Sequence, residues 1–391
     1  MLQWQYRDQD FQAAWRSESG APLPRKLQVV DDTTPADMAY RLACEGTALL
    51  WQGDFQNARH LLDAIKRRLE KPARNHSAKA RQRKKGEEQA AEFPHAFHLY
   101  RQSQAQRARV LNSVLVVLEP DFSMQMRRAP DWKLACTEAW GQPQLNGPRQ
   151  VVALRELLGV VGAHEWRKKG VPMPLLGKSA RIHAHYGVFS PVRGEYLDLV
   201  AQAPVPVAGQ AKAFDIGVGT GVLSALLLKR GVQQVVGTDL SERALACAQE
   251  NMQRLGLSER AEFIKGDLFP EGKAGLIVCN PPWLPGRSAT TLEQAVYDED
   301  SRMLKGFLKG AVAHLEPRGE AWLILSDLAE HLGLRSRAEL EGWIAEAGLT
   351  VIDKLDTRPQ HGKVQDSNDP LHAARAKEVT SLWRLATKAS A

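Results

Sequence analysis

The sequence lacks the features that mark disulfide-rich, metal-binding and membrane-spanning proteins. Its 391 residues include only four cysteines, and no two of them show the C-x-x-C spacing of zinc or redox sites. No run of eighteen apolar residues occurs, and the polar start MLQWQYRDQDFQ is unlike a secretory signal. We therefore expect a cytoplasmic protein without membrane contact, and reduced, structural cysteines. They are Cys44, Cys136, Cys247 and Cys279.

A basic excess is missing everywhere except in one segment. Residues 66–85 hold ten Lys and Arg against one acid, a local charge of +9, whereas the whole chain carries +7. Such a block is typical of a contact with phosphate or an acidic surface, or else of a solvated loop. The candidate contact residues within it are Lys79, Arg81, Arg83, Lys84 and Lys85.

Internal repeats are also absent, and the residue pattern instead divides the chain into two domains. Residues 1–175 show mainly helical spacing, with apolar residues on one face between 55 and 69 and again between 111 and 118 and between 151 and 161. This pattern predicts a mostly helical accessory domain that recognises the substrate.

In residues 176–391, apolar runs alternate with helical patterns. This alternation predicts an α/β fold, a largely parallel sheet with helices on both faces. Ligands of such sheets bind beyond the carboxyl ends of the strands. The runs lie near 212–216, 234–238, 261–264, 275–279 and 320–326, and two further strands are expected near 348–354 and 379–385.

A glycine turn follows the first of these strands. Asp215 precedes Gly217, Gly219 and Gly221, and a helical pattern begins directly after them. Glycine allows a tight turn and a close approach of a ligand to the main chain. Val222 stands where a dinucleotide fingerprint has its third glycine. The turn alone therefore fits nucleotide binding, nicotinamide binding or mere turn geometry.

Acidic residues end the next two strands. Asp239 lies eighteen residues after Gly221, where a carboxylate can accept hydrogen bonds from both ribose hydroxyls. Asp267, followed by Leu268, ends the third strand. Each aspartate alone is also typical of a helix cap or turn, but acids at three successive strand ends indicate a cofactor site.

Over roughly residues 180–391 the chain resembles the class I S-adenosylmethionine-dependent methyltransferases. The resemblance implies a seven-stranded Rossmann-like sheet whose last strand is antiparallel. It also implies S-adenosyl-L-methionine as the cofactor: Asp215 and the three glycines would hold its methionine end, Asp239 its ribose, and Asp267 with Leu268 its adenine. The segment 357–377 departs from the family pattern as either a substrate-facing insertion or a surface loop.

The stretch Asn280-Pro281-Pro282-Trp283 follows the fourth strand. An amino group on an sp² carbon can donate hydrogen bonds from its two N–H groups to the Asn280 amide oxygen and the Pro281 carbonyl oxygen. Held in this way, its nitrogen can become pyramidal and direct its lone pair toward a methyl donor. Proline fixes φ and so the carbonyl direction. Trp283 would stack on the planar group. Alternatively, the prolines only end the strand and the tryptophan fills the core.

These four residues resemble the [N/D]-P-P-[Y/F/W] signature of amino-group methyltransferases that act on adenine, cytosine, guanine or glutamine amides. The resemblance implies that they are catalytic and that Asn280 adjoins the cofactor. Residues 187–200 resemble the segment before the first strand in the release-factor glutamine methyltransferase (HemK) family. The segment departs from that pattern, because Ser190 and Val192 flank the proline, the arginine stands two places after it, and Tyr196 follows the glutamate. The resemblance implies substrate-binding roles for Phe189, Pro191 and Arg193.

The leading functional hypothesis is methylation of a base exocyclic amine in RNA, ribosomal or transfer, because the basic segment adds a phosphate-binding surface to the amino-group signature. The alternative is methylation of a glutamine side chain in a translation protein such as a release factor or ribosomal protein. DNA modification and a binding module without turnover are further alternatives. No metal is expected, since His183 and His185 share a strand face without a third ligand.

Overall fold

The computed structural model describes residues 1–70, 93–192, 194–288, 292–359 and 369–388. Within them the chain divides into two compact units, Met1–Glu165 and Trp166–Ala391. The division falls before the predicted boundary at residue 175. None of the helices in the described ranges combines the length and apolar character that a bilayer crossing needs.

The N-terminal unit contains, besides its helices, a mixed sheet that the sequence-based interpretation did not predict. In its described residues six strands lie in the order β1-β2-β6-β5-β4-β3. The strands are β1 (Leu2–Tyr6), β2 (Gln9–Trp15), β3 (Leu27–Val30), β4 (Ala48–Trp51), β5 (Val114–Leu118) and β6 (Gln150–Ala153). The helices that begin in this unit are α1 (Ala36–Cys44), α2 (Phe55–Glu70), α3 (Phe93–Leu111), α4 (Lys133–Trp140) and α5 (Leu154–Lys169).

The helical prediction failed where short apolar runs are buried strands. Four of the five residues of β5 are buried, and so are three of the four residues of β6. A strand buried on both faces has apolar residues at consecutive positions, so short runs of this kind do not distinguish it from a helix. The helix expected over 55–69 is present as α2, with its buried face made of Phe55, Ala58, Leu61, Leu62, Ala64 and Ile65.

The C-terminal unit has the predicted seven-stranded sheet, here in the order β11-β10-β9-β12-β15-β17-β16 over the described residues. The last strand in the chain, β17, is antiparallel to both of its neighbours, as expected. The strands of this unit are β7 (Val171–Pro172), β8 (Arg181–Ile182), β9 (Lys212–Ile216), β10 (Gln234–Asp239), β11 (Ala261–Lys265), β12 (Ala274–Cys279), β13 (Leu284–Pro285), β14 (Tyr297–Asp298), β15 (Leu315–Ser326), β16 (Leu349–Thr357) and β17 (Thr380–Thr387).

Helices cover both faces of this sheet, because successive side chains of the central strands point to opposite sides. Ala213 of β9 packs in one core cluster and Phe214 in the other, and Leu276 and Ile277 of β12 divide in the same way. Helices α6 (Glu195–Gln202), α7 (Val222–Lys229) and α8 (Glu242–Leu255) contribute to the first cluster, and α9 (Arg302–His314) and α11 (Arg337–Glu346) to the second. The remaining helices are α10 (Leu328–His331) and α12 (His372–Arg375).

The carboxyl ends of the parallel strands meet at one edge of the sheet. Strands β9, β10, β11, β12 and β15 run parallel in this unit. Ile216 of β9 and Cys279 of β12 are paired in register. Gly217 and Asn280 directly follow these two residues, so the glycine turn and the N-P-P-W stretch leave the sheet side by side.

In the segment 357–377, residues 360–368 lie outside the described part.

Candidate active site

The glycine turn has a backbone that favours glycine. The φ angles of Gly217, Gly219 and Gly221 are +77°, +51° and +78°, in the left-handed region that other residues rarely adopt. A Cβ on Gly221 would also lie 3.1 Å from the side chains of Ala248 and Met252 in α8. The turn therefore presents its main chain to the sheet edge while α7 starts close against α8.

Asp215 lies under this turn with half of its carboxylate satisfied. It is 1% exposed, and its Oδ2 accepts hydrogen bonds from the Ser224 amide at 3.0 Å and hydroxyl at 2.6 Å. Its Oδ1 is buried and accepts no hydrogen bond in the described part of the chain. Burial raises the pKa of Asp215 to about 7, and the two Ser224 hydrogen bonds lower it in part.

Asp239 joins the end of β10 to the glycine turn. Its Oδ2 accepts a hydrogen bond from the Gly219 amide at 3.1 Å, and its Oδ1 accepts one from the Ser241 amide at 2.9 Å. Each carboxylate oxygen keeps a lone pair for a further donor. Burial raises the pKa of this half-buried carboxyl, and the backbone hydrogen bonds oppose that effect.

These residues fit the ammonium and ribose groups of S-adenosyl-L-methionine. The unpartnered Oδ1 of Asp215 lacks a donor, which a positively charged amino group would supply. The free lone pairs of Asp239 suit ribose hydroxyls. The assignment of Asp215, Asp239 and the glycines to the cofactor stays a prediction with these observations in its favour.

Asp267 has a partner that the sequence did not indicate. Arg302, the first residue of α9, places Nη1 3.0 Å from its Oδ2 and Nη2 3.1 Å from its Oδ1. Leu268 has φ +72°, and its carbonyl accepts a hydrogen bond from the Thr238 hydroxyl. The contact of Asp267 and Leu268 with the adenine of the cofactor remains a prediction. The guanidinium of Arg302 would lie beside this adenine site.

The N-P-P-W stretch contains an internal hydrogen bond. The Trp283 indole Nε1 donates to the Asn280 Oδ1 at 2.8 Å, and the half-buried ring packs against both core clusters of the unit. Pro281 is buried. Trp283 therefore orients the Asn280 amide. The sequence-based interpretation had assigned the Trp283 ring to stacking on the substrate and did not include this hydrogen bond. The Asn280 oxygen keeps a second lone pair for a substrate N–H.

The chain after this stretch returns to the glycine turn. Asp298, 8% exposed, accepts the amide hydrogen bonds of Met303 at 3.0 Å and Leu304 at 3.1 Å and so caps α9. A Cβ on Gly217 would lie 2.6 Å from the Met303 methyl. Met303 thus packs against the glycine turn that is predicted to hold the cofactor. No sequence motif indicated this contact.

Residues 183–188 lie against α8. Asn251, fully buried, accepts the His183 amide hydrogen bond at 2.8 Å and donates to the Thr220 carbonyl at 3.0 Å, so this segment is tied to the glycine turn. Pro191 is buried, whereas Phe189 is 41% exposed. Arg193 lies outside the described residues.

The two histidines of this segment bind protein groups. The His183 Nδ1 lies 2.6 Å from the Arg167 carbonyl oxygen, and the His185 Nε2 lies 2.6 Å from the Glu250 Oε2. Among the described residues no group of three potential ligands that could hold a metal ion is found.

The predicted basic contact residues fall outside the described part of the chain. They are Lys79, Arg81, Arg83, Lys84 and Lys85. Of the segment 66–85 the structure describes the end of α2, where the Arg68 Nε forms an ion pair with the Asp37 Oδ1 at 2.7 Å.

Comparisons with known proteins agree with this architecture. Residues 179–340 match the family model described as methyltransferase small domain. The release factor glutamine methyltransferase of Caulobacter vibrioides is 32% identical over 38% of this chain and 55% of its own length. The ribosomal RNA small subunit methyltransferase C of Alcanivorax borkumensis is 33% identical over 35% of this chain and 40% of its own length.

A longer match, with lower identity, is the release factor glutamine methyltransferase of Gloeobacter violaceus, 27% identical over 58% of this chain and 80% of that protein. The chain nevertheless spans only about half the length of the first curated relatives, 55% and 53% for those of Caulobacter and Agrobacterium. The matched residues cover the glycine turn, the acidic strand ends and the N-P-P-W stretch. Residues 179–340 therefore match a methyltransferase small domain, in agreement with the resemblance to the class I S-adenosylmethionine-dependent methyltransferases.

Proposed function

We propose that this protein methylates a planar amino or amide nitrogen. The observation that carries the proposal is the position of Asn280, which leaves β12 beside the glycine turn of β9, with its amide oxygen held by the Trp283 indole at 2.8 Å. The bound cofactor supplies an electrophilic methyl group on a sulfonium. The protein's part is to orient the acceptor nitrogen toward it.

The acceptor nitrogen is a poor nucleophile because its lone pair is delocalised into an adjacent sp² carbon. The second lone pair of the Asn280 Oδ1 and the Pro281 carbonyl would accept its two N–H bonds and stabilise the pyramidal form. The ring of the buried Pro281 fixes its φ, and the following Pro282 restricts its ψ, so the direction of the Pro281 carbonyl is limited before the substrate arrives. Both acceptors also stabilise the positive charge that develops on nitrogen.

A glutamine side chain in a translation protein is the substrate that we favour. It carries the planar –NH₂ that this geometry requires, and several relatives are named release factor glutamine methyltransferases. This order reverses that of the sequence analysis, which placed an RNA base first.

An exocyclic amine of an RNA base is the second candidate. The relative named ribosomal RNA small subunit methyltransferase C and the +9 charge of residues 66–85 favour it. Under this candidate, affinity for bulk RNA falls steeply with salt, and neutralising the basic segment flattens that dependence. An unchanged salt dependence after neutralisation removes the segment's role.

Radiolabelled cofactor distinguishes the two candidates. The protein is incubated with labelled S-adenosylmethionine and a lysate from a strain that lacks it, and aliquots are treated with protease or ribonuclease before counting. We expect protease to abolish the macromolecular label, whereas loss with ribonuclease would identify RNA. Asn280→Ala should bind the cofactor like the wild type in calorimetry but transfer methyl groups on the order of 10²-fold more slowly. Full transfer by this variant would contradict the mechanism.

A further inference from the structure

An arginine outside every predicted motif follows the carboxyl end of β15, the strand beside β12 in the sheet. Arg335 is in the turn between α10 and α11, after the carboxyl end of β15. Helix α10 contacts β13, the strand that begins directly after Trp283. The helix that precedes this turn thus packs against the strand that follows the N-P-P-W stretch.

The guanidinium of Arg335 has no hydrogen-bond acceptor among the described residues. The residue is 4% exposed, and its Nε and Nη2 are buried without a partner. Arg337, two residues later, shows the contrast. Its Nε lies 3.0 Å from the Glu330 Oε2, and its guanidinium lies over the Trp383 ring. Buried donors normally have partners, since an unpaired polar group in the interior is costly and a charged one more so.

Carboxylates near Arg335 partly offset the cost of burying its charge, but they accept no hydrogen bond from its Nε or Nη2. Burial lowers the pKa of its guanidinium, whereas the carboxylates of Glu330, Asp298 and Glu339 raise it and Arg337 lowers it. Three nearby acids against one further base leave little reason for an additional anion. What the site lacks is a neutral oxygen that can accept N–H bonds, such as an amide carbonyl.

We propose that Arg335 binds a main-chain carbonyl oxygen of the polypeptide that presents the target amide, and so makes the protein selective for a glutamine within a chain. This inference rests on the proposed function and specifies its substrate. Asp298 connects the two sites, because it lies in β14, which pairs with β13, and its charge acts on Arg335.

Three variants separate this role from a structural one. Arg335→Met keeps much of the side-chain length but has no hydrogen-bond donor. Arg335→Lys keeps the positive charge but lacks the planar pair of guanidinium N–H groups. Arg337→Met is the matched control. Because the Nε and Nη2 of Arg335 make no hydrogen bond among the described residues, the methionine variant breaks none at these atoms and removes the cost of burying unpaired donors. We therefore expect Arg335→Met to melt at or above the wild-type temperature with unchanged cofactor affinity.

The expected loss is in substrate affinity. For Arg335→Met the lysate protein concentration that half-saturates methyl transfer should rise about tenfold or more, as for loss of a hydrogen bond to a charged donor. Arg335→Lys should fall between that variant and the wild type, and Arg337→Met should match the wild type. A lower melting temperature with unchanged half-saturation in Arg335→Met would make the residue structural and overturn the proposal.

The chemistry of the acceptor is tested with three probes. Glutamine blocked as its N-acetyl and N-methylamide derivative should inhibit wild-type transfer more strongly than propionamide, which lacks main-chain carbonyls. The difference should vanish in Arg335→Met. Equal inhibition by both amides, or by neither, contradicts the carbonyl assignment. Selective stabilisation of the wild type by inorganic phosphate at constant ionic strength also contradicts it, because the partner would then be an anion.

Failure of this inference is distinguishable from failure of the proposed function. A wild-type protein that binds S-adenosylmethionine and labels neither protein nor RNA refutes the proposed function itself. Protease-sensitive labelling that Arg335→Met leaves unchanged refutes only the carbonyl site.

Discussion

Replacing Asp215 by Asn tests the cofactor site without any substrate. In the folded protein burial raises the pKa of Asp215 from 3.8 to about 7, and its Oδ1 has no partner in the described residues. Because the folded pKa is the higher one, the carboxyl contributes stability below about pH 4 and loses it as the pH rises to about 7. Above that pH the protein without cofactor carries a buried, half-satisfied anion.

The difference between pKa values of 3.8 and about 7 corresponds to about 4 kcal/mol, an upper figure because buried groups respond as if in a more polar medium. Asparagine is neutral at every pH. Asp215→Asn should therefore be more stable than the wild type at pH 8, by up to about 4 kcal/mol, and should lose this advantage near pH 4. The same variant should bind S-adenosylmethionine at least about tenfold more weakly, because its ammonium loses an ionic partner.

Chemical denaturation without cofactor at pH 5 and pH 8, compared between Asp215→Asn and the wild type, measures the effect. The neighbouring Asp239 is coupled to this group, since its charge raises the pKa of Asp215, so the difference between the two proteins includes this repulsion. At pH 6, calorimetry in buffers of different ionisation enthalpy should show proton release on cofactor binding to the wild type only. A stability difference that is the same at both pH values, with wild-type cofactor affinity in the variant, would refute the reasoning.

Three other substitutions test the contacts of the site. Trp283→Phe keeps the apolar ring but removes the donor to Asn280, so turnover should fall roughly tenfold with little change in melting temperature; an unchanged rate separates the indole from catalysis. Asn251→Asp loses the amide donor to the glycine turn, and calorimetry should show weaker cofactor binding, with wild-type affinity as the contrary result. Gly217→Ala introduces a Cβ 2.6 Å from the Met303 methyl at a residue with φ +77°. The melting temperature should therefore fall. The additional substitution Met303→Ala should restore it only in part, since the backbone strain remains. Complete relief would contradict the strain.

The sequence predicted the sheet of the C-terminal unit because its signals are local. Apolar runs, glycines and strand-end acids mark β9 to β12 within a few residues each. The antiparallel β17 came from the family resemblance. In the N-terminal unit the same kind of signal misled, since buried strands such as β5 were interpreted as helical faces.

The contacts missed in the site are long-range ones. Arg302 meets Asp267 and Met303 meets Gly217 only because α9 folds back across the sheet edge. Asp300 and Ser301 both have φ +55° just before this helix, and no glycine marks the turn. Arg335 shows no pattern at all, and its unpaired state is visible only from its surroundings.

The register between β9 and β12 has a consequence for insertions and deletions. Ile216 and Cys279 pair directly in neighbouring strands, which lie about 4.8 Å apart. The main-chain hydrogen bonds between these strands therefore set the spacing between the glycine turn and the N-P-P-W stretch. Losing one residue from β12 would shift Asn280 by about 3.3 Å and turn its side chain to the opposite face. A change in loop length beyond these two strands leaves this register intact, whereas a change within either strand does not.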